Sequence, residues 1–197
     1  MDTQEVLDLM KHAADTVIRP RYRELSASDI HEKAPGDLVT IADRESEQVI
    51  LDVLARQYPY ALMVGEEATA ADPTILEKLQ TAEHAWTIDP IDGTRNFVHG
   101  QPDYAVMVGE LRSGKTVRGW IWQPEHEVAH VAEAGGGVYR NGTKITRPAP
   151  GDISKLRGNT SAVTVNTEGS EVPPNQPSSG CAGVDYARIL DDESDWT

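Results

Sequence analysis

A change of hydrophobic period near residue 60 divides this sequence and restricts what it can become. Upstream, Val6, Leu7, Met10, Ala14, Val17 and Ile18 recur at helical spacing until Pro20. Val49, Ile50, Val53 and Leu54 mark a second amphipathic helix, entered near Asp43 and closed before Pro59. Between the two, Lys33-Ala34-Pro35-Gly36-Asp37 reads as a loop or turn. Downstream, short apolar runs take over. Ala61 to Val64 runs into Gly65-Glu66-Glu67, and Ala85 to Ile88 runs into Asp89. Tyr104 to Leu111, Thr116 to Trp122 and Val128 to Ala132 then read as successive strands, parted by Ser113-Gly114 and Gln123-Pro124. Gly135-Gly136-Gly137 and Asn141-Gly142 add two more turns. Helices followed by a largely antiparallel sheet make the class α+β. Residues 166–180 lack apolar periodicity and read as a connector or exposed loop, with a last helix from Cys181 to Leu190.

Bulk properties narrow the partners. The net charge of −14 repels nucleic acid unless a basic patch intervenes, whereas bridging metal cations could still bring a phosphorylated molecule to an acidic surface. Cys181 is the single cysteine, so no intrachain disulfide forms. Asp2, Glu5, Asp8 and Asp15 exclude a signal peptide at the N-terminus, and no run is long enough to span a membrane. The expected location is the cytoplasm.

The chemistry concentrates in Asp89-Pro90-Ile91-Asp92-Gly93-Thr94. Two carboxylates at a strand end, on a loop stiffened by proline, can converge on a hard cation such as Mg²⁺, which takes oxygen ligands. Gly93 and Thr94 add small residues whose N–H groups can approach an anion. Alone, the hexapeptide is equally readable as an Asx-type turn. It is not an EF-hand, because Pro90 interrupts the loop and Gly100 stands where the bidentate Glu belongs. Gly65-Glu66-Glu67 taken singly is a solvated turn, and Asp43 a helix cap.

Together these segments say more. Lys33, Asp37-Leu38-Val39-Thr40-Ile41-Ala42-Asp43, Gly65-Glu66-Glu67 and Asp89 through Phe97 resemble the inositol monophosphatase family in order and spacing, with Ser179-Gly180-Cys181-Ala182 resuming the likeness. The resemblance implies a layered α/β sugar-phosphatase fold, with residues 1–150 carrying the site and 151–197 a partial C-terminal portion. It implies Mg²⁺ held by Glu66, Asp89, the Ile91 carbonyl and Asp92. It implies a small phosphate monoester, such as an inositol or histidinol phosphate, received by Asp92, Gly93, Thr94, Gly180, Cys181 and Ala182. Glu66, Thr94 and Asp43 would be catalytic, the last two orienting the attacking water. Lithium sensitivity and a homodimer are further expectations. Family members continue past the position of Trp196 into a Trp-Asp motif that supplies another metal ligand, so the fold is expected to be incomplete at the C-terminus. Asp195-Trp196 has the reverse order and is no substitute. A member that binds metal or phosphate without turnover is the alternative.

One motif points elsewhere. His126-Glu127-Val128-Ala129-His130 matches the pattern of zinc metalloproteases, which needs both histidines on one helical face. Pro124 and Gly135 frame a segment that reads as strand, where residues four apart stand roughly 13 Å from each other and cannot share a zinc.

Overall fold

The computed structural model describes residues 1–148, 156–160, 175–195 and 197. Helix α1 (Thr3–Ala13) opens on a capping box, in which Glu5 N–H donates to Asp2 and Asp2 N–H to Glu5. Its coil continues through a π-helical turn, Ala14–Ile18, and a 3₁₀ turn, Arg19–Arg21, that accommodates Pro20. The segment expected to be only a turn forms a polar hairpin, β1 (Ile30–Ala34) and β2 (Asp37–Thr40), reversed at Gly36. Helix α2 (Ile41–Gln57) follows at once.

The main sheet has seven strands: β3 (Leu62–Gly65), β4 (His84–Asp92), β5 (Ala105–Arg112), β6 (Lys115–Gln123), β7 (Val128–Glu133), β8 (Gly137–Arg140) and β9 (Thr143–Ile145). They lie in sequence order, antiparallel except for the parallel pair β3–β4. Two short helices missed by the periodicity, α3 (Glu66–Ala71) and α4 (Ile75–Leu79), make the β3–β4 crossover. Most of the expected 166–180 connector lies outside the described residues; its end forms β11 (Asn175–Pro177), parallel to β10 (Gly158–Thr160), and α6 (Ala182–Leu190) comes last. Among the described residues, no helix is long and apolar enough to cross a membrane.

One sheet face is dry. Trp86, Ile88, Val106, Val108, Trp120 and Trp122 bury against Val6, Met10, Ile50 and Leu54 of α1 and α2, with Trp86 and Trp120 stacked 5.9 Å apart. Burying such side chains contributes about 1.5–3 kcal/mol each, enough to fix the register of both helices on the sheet. Helix α6 covers part of the opposite face, at Ala105, Met107 and Ile121. Residues 126–130 form no helix: His126 sits in the β6–β7 turn against Asp103, and His130 lies within β7 against Asp191. The helical face a zinc protease needs is absent there.

Candidate active site

The site begins with an irregularity in β4. Asp89 pairs with Met107 and Asp92 with Ala105, so β4 spends three residues where β5 spends two. Residues three apart on a regular strand face opposite ways, and the bulge turns Asp89 and Asp92 to the same side. Pro90 suits it, having no N–H to give the ladder. Gly93 then adopts φ +84, and α5 (Thr94–Val98) starts immediately. A Cβ at Gly93 would also stand 2.9 Å from Cys181 Cβ. Gly93→Ala is therefore expected to cost at least about 1–2 kcal/mol from the backbone alone, read as a lower midpoint in urea unfolding.

Four acids meet here from three elements, Asp43 from α2, Glu66 from α3, and Asp89 and Asp92 from β4. Asp43 is the third residue of α2, whose cap is Thr40. Its Oδ2 accepts from Thr40 N–H at 2.7 Å and Thr40 Oγ1–H at 2.6 Å. Its Oδ1 lies 3.0 Å from Thr94 Oγ1, which is also 2.9 Å from the Ile91 carbonyl oxygen. Burial pushes Asp43 up to about 6, against the pull of the Thr40 and Thr94 hydrogen bonds. Asp89 is pushed up further by burial and by the neighbouring charges of Glu66 and Asp92. Its Oδ1 is buried with no protein partner. An orphaned buried carboxylate oxygen beside two other acids is costly in a metal-free chain, and a cation is the kind of partner that would satisfy it.

The other two acids have protein partners. Glu66 opens α3 and accepts from Lys33 Nζ at 2.7 Å; the same ammonium lies 2.9 Å from Glu67. Burial draws Lys33 down, but Glu66 and Glu67 outweigh it and hold it above the usual lysine range. Asp92 Oδ2 accepts from Cys181 Sγ at 3.0 Å and from the Gly183 N–H. Burial and Asp92 push the Cys181 thiol up, so it is a buried capping group rather than a nucleophile. Among the described residues, no group of three or more His, Cys, Asp or Glu side chains is arranged, as the side chains stand, to hold a metal ion. The donor types nevertheless suit Mg²⁺: oxygen-only and acidic, with Asp89 Oδ1 unpartnered and Lys33 standing as a cation beside Glu66.

A polar cleft of about 220 Å³ opens over Asp89, Asp92, Gly93 and Thr94, bordered by Gly180 and by Leu38 of the hairpin. A larger, mostly apolar hollow of about 500 Å³ reaches Glu66, Asp89 and Ala182 from the other side. The structure thus gathers Asp43, Glu66, Asp89, Ile91, Asp92, Gly93, Thr94, Gly180 and Cys181 around one cleft, with Ala182 on the adjoining hollow. Sequence reasoning missed three contributors. Asn96 donates to the carbonyls of Asp103 and Ser179 and ties α5 to the 178–181 segment. Gly183 fixes Asp92, and Glu47 braces α3. Asn96 stood inside the recognised motif; the other two carried no local signal.

The profile of the inositol monophosphatase family matches residues 2–195. An inositol-1-monophosphatase of Mesorhizobium japonicum is 32% identical over 148 residues, covering 74% of this chain and 53% of that protein. A fructose-1,6-bisphosphatase/inositol-1-monophosphatase of Aquifex aeolicus is 30% identical over 141 residues, covering 72% and 51%. The chain spans about half the length of these curated relatives. Among solved structures, a dual-specific IMPase/NADP phosphatase bound with D-inositol-1-phosphate superposes with a TM-score of 0.76 at 25% identity, over 96% of this chain and 72% of that one. The SuhB protein of Bartonella henselae gives a TM-score of 0.73 at 26% identity, over 96% and 76%. The chain belongs to the inositol monophosphatase family.

Proposed function

We propose that this protein hydrolyses a small phosphate monoester, of the inositol phosphate or histidinol phosphate kind, with Mg²⁺ held by Glu66, Asp89, the Ile91 carbonyl and Asp92. The observation that carries the reading is the orphaned Asp89 oxygen, buried one bulge away from Asp92 and beside Glu66. Mg²⁺, when bound, supplies charge neutralisation on the phosphoryl group and lowers the pKa of water. Thr94 and Asp43 form a short relay: the hydroxyl, held by Asp43, orients a water toward phosphorus, and Asp43 receives its proton. The first turn of α5, entered through Gly93, leaves backbone N–H groups free to receive phosphate oxygens. A homodimer in the cytoplasm, inhibited by lithium, belongs to the same reading.

The test is phosphate release from inositol 1-phosphate, histidinol phosphate and fructose 1,6-bisphosphate, with Mg²⁺ and with chelator. Release from at least one, only with Mg²⁺, is expected; release that persists in chelator would sink the proposal. A second reading, binding of metal or phosphate without turnover, is favoured by the protein partners already on Glu66 and Asp92. Its signature is Mg²⁺ binding with no release from any of the three.

The raised carboxyls give a pH dependence. Asp43 ionises near 3.8 when unfolded and near 6 when folded. Its contribution to metal-free stability is full below the lower value and lost as pH rises through the upper one. Mg²⁺ favours the ionised acids and reverses that loss. The rise in melting temperature on adding Mg²⁺ is therefore expected to grow from about pH 5 to about pH 8. A rise that stays constant over this range would contradict the assignment.

A further inference from the structure

Helix α3 presents Glu66 in its first turn, yet nothing local holds that turn in place. Its N-cap is Gly65, which offers no side chain, and the helix is six residues long. Helices this short are marginal without tertiary support. Lys33 of β1 grips the Glu66 and Glu67 side chains, and α2 holds the backbone. Glu47, 5% exposed, accepts from Glu67 N–H at 2.8 Å on one oxygen and from Ala68 N–H at 3.2 Å on the other. Glu47 lies one helical turn beyond Asp43, so α2 carries two buried acids on one face. Asp43 reaches the Thr94 hydroxyl and Glu47 reaches the start of α3.

Gly65 completes the device. Its backbone is ordinary, with φ −84, so a turn does not require glycine there. A Cβ at Gly65 would overlap the Glu47 carboxylate. Glycine is needed for the close approach of Glu47, not for conformation.

We propose that Glu47 is a positioning residue for the metal site: it caps α3 from α2 and thereby fixes Glu66 relative to Asp43. This rests on the Mg²⁺ reading of Glu66. Groups that orient metal ligands typically change metal affinity about 10–100-fold when removed, and Glu47 holds the backbone that carries one.

The test uses the full chain and two readouts. The first is Mg²⁺ affinity by titration calorimetry for Glu47→Ala, Glu47→Gln, Gly65→Ala and Leu54→Ala. Leu54 is a buried core residue on the far part of α2 and serves as a control for simple loss of stability. Glu47→Ala is expected to weaken Mg²⁺ at least about tenfold. Glu47→Gln, which keeps one acceptor, should recover part of that loss. Gly65→Ala displaces the carboxylate without removing its charge and should weaken binding too. Leu54→Ala should lower the melting temperature and leave the affinity unchanged. The second readout is amide hydrogen exchange at Glu67 and Ala68 without metal, which should accelerate in Glu47→Ala and Gly65→Ala. Unchanged affinity in both, or equal weakening in Leu54→Ala, would overturn the inference while leaving the phosphatase reading intact. Unaccelerated exchange would overturn the cap itself. A parent chain that binds no Mg²⁺ would overturn the phosphatase reading and the positioning role with it.

Discussion

Asp89→Asn is expected to remove Mg²⁺-dependent phosphate release by at least about a thousandfold while leaving the metal-free protein as stable as the parent or more so. The two effects share one cause. Asp89 is buried among Glu66 and Asp92, and its Oδ1 has no protein partner. Ionising it without a cation is unfavourable, which is why its pKa rises. Asparagine matches the protonated acid in shape and never titrates. Because a raised carboxyl withdraws stability as pH rises through its folded pKa, the variant's advantage in melting temperature should widen toward alkaline pH. With metal present the order reverses: the parent gains stability and the variant does not. Thermal melts with and without Mg²⁺, run alongside the activity assay, check both halves. A metal-free variant much less stable than its parent would mean that Asp89 is a structural acid.

Thr94→Val should be the next most damaging change. The hydroxyl stands 3.0 Å from Asp43 and 2.9 Å from the Ile91 carbonyl, at the threshold of α5 and facing the cleft. Valine keeps the branched shape and removes the group that donates to Asp43 and orients water. Loss of a positioned group in such a proton relay lowers kcat about 10²–10⁴-fold. Thr94→Ser should retain most of the activity, because the hydroxyl survives. Steady-state kinetics at saturating Mg²⁺ separate the cases: the expected loss lies in kcat, whereas a loss confined to KM would assign Thr94 to substrate binding alone. Asp43→Asn should act in the same direction. It also weakens the cap at Thr40, so Thr94→Val is the cleaner probe.

The parts of this molecule that were readable in advance share a physical origin. Helix α1 with the π-helical turn after it, and helix α2, bury apolar stripes, Val6 to Ile18 and Ile50 with Leu54. Strands β5 to β7 alternate, and Trp120 and Trp122 fall on one face as the period of two requires. The hairpin of β1 and β2 was not readable, since His31, Glu32 and Lys33 offer no apolar alternation. Helix α3 reads Glu-Glu-Ala-Thr-Ala-Ala, without a buried stripe, and depends on a cap from another helix. Contacts between elements distant in the chain leave no local pattern.

The same division holds within the site. Asp43, Glu66, Asp89, Asp92 and Thr94 were legible because each sits in a compact motif whose order and spacing resemble a family. What the motif did not disclose is how Asp89 and Asp92 come to face the same way, which the β4 bulge accomplishes. Nor did it disclose that Lys33 neutralises Glu66 in the metal-free chain. That ion pair lies partly exposed and contributes little to stability by itself. A cation drawing on Glu66 Oε1 would compete with the Lys33 ammonium for that oxygen.

The phosphatase reading and the metal-binding form of the second both require a metal at Asp89, so its binding is their shared foundation. Titration calorimetry of Mg²⁺ into the full chain at about pH 8, beside Asp89→Asn, tests it most directly. Saturable binding by the parent that disappears in the variant is the expected result. No binding by the parent, or the same affinity in Asp89→Asn, would contradict a metal site at Asp89.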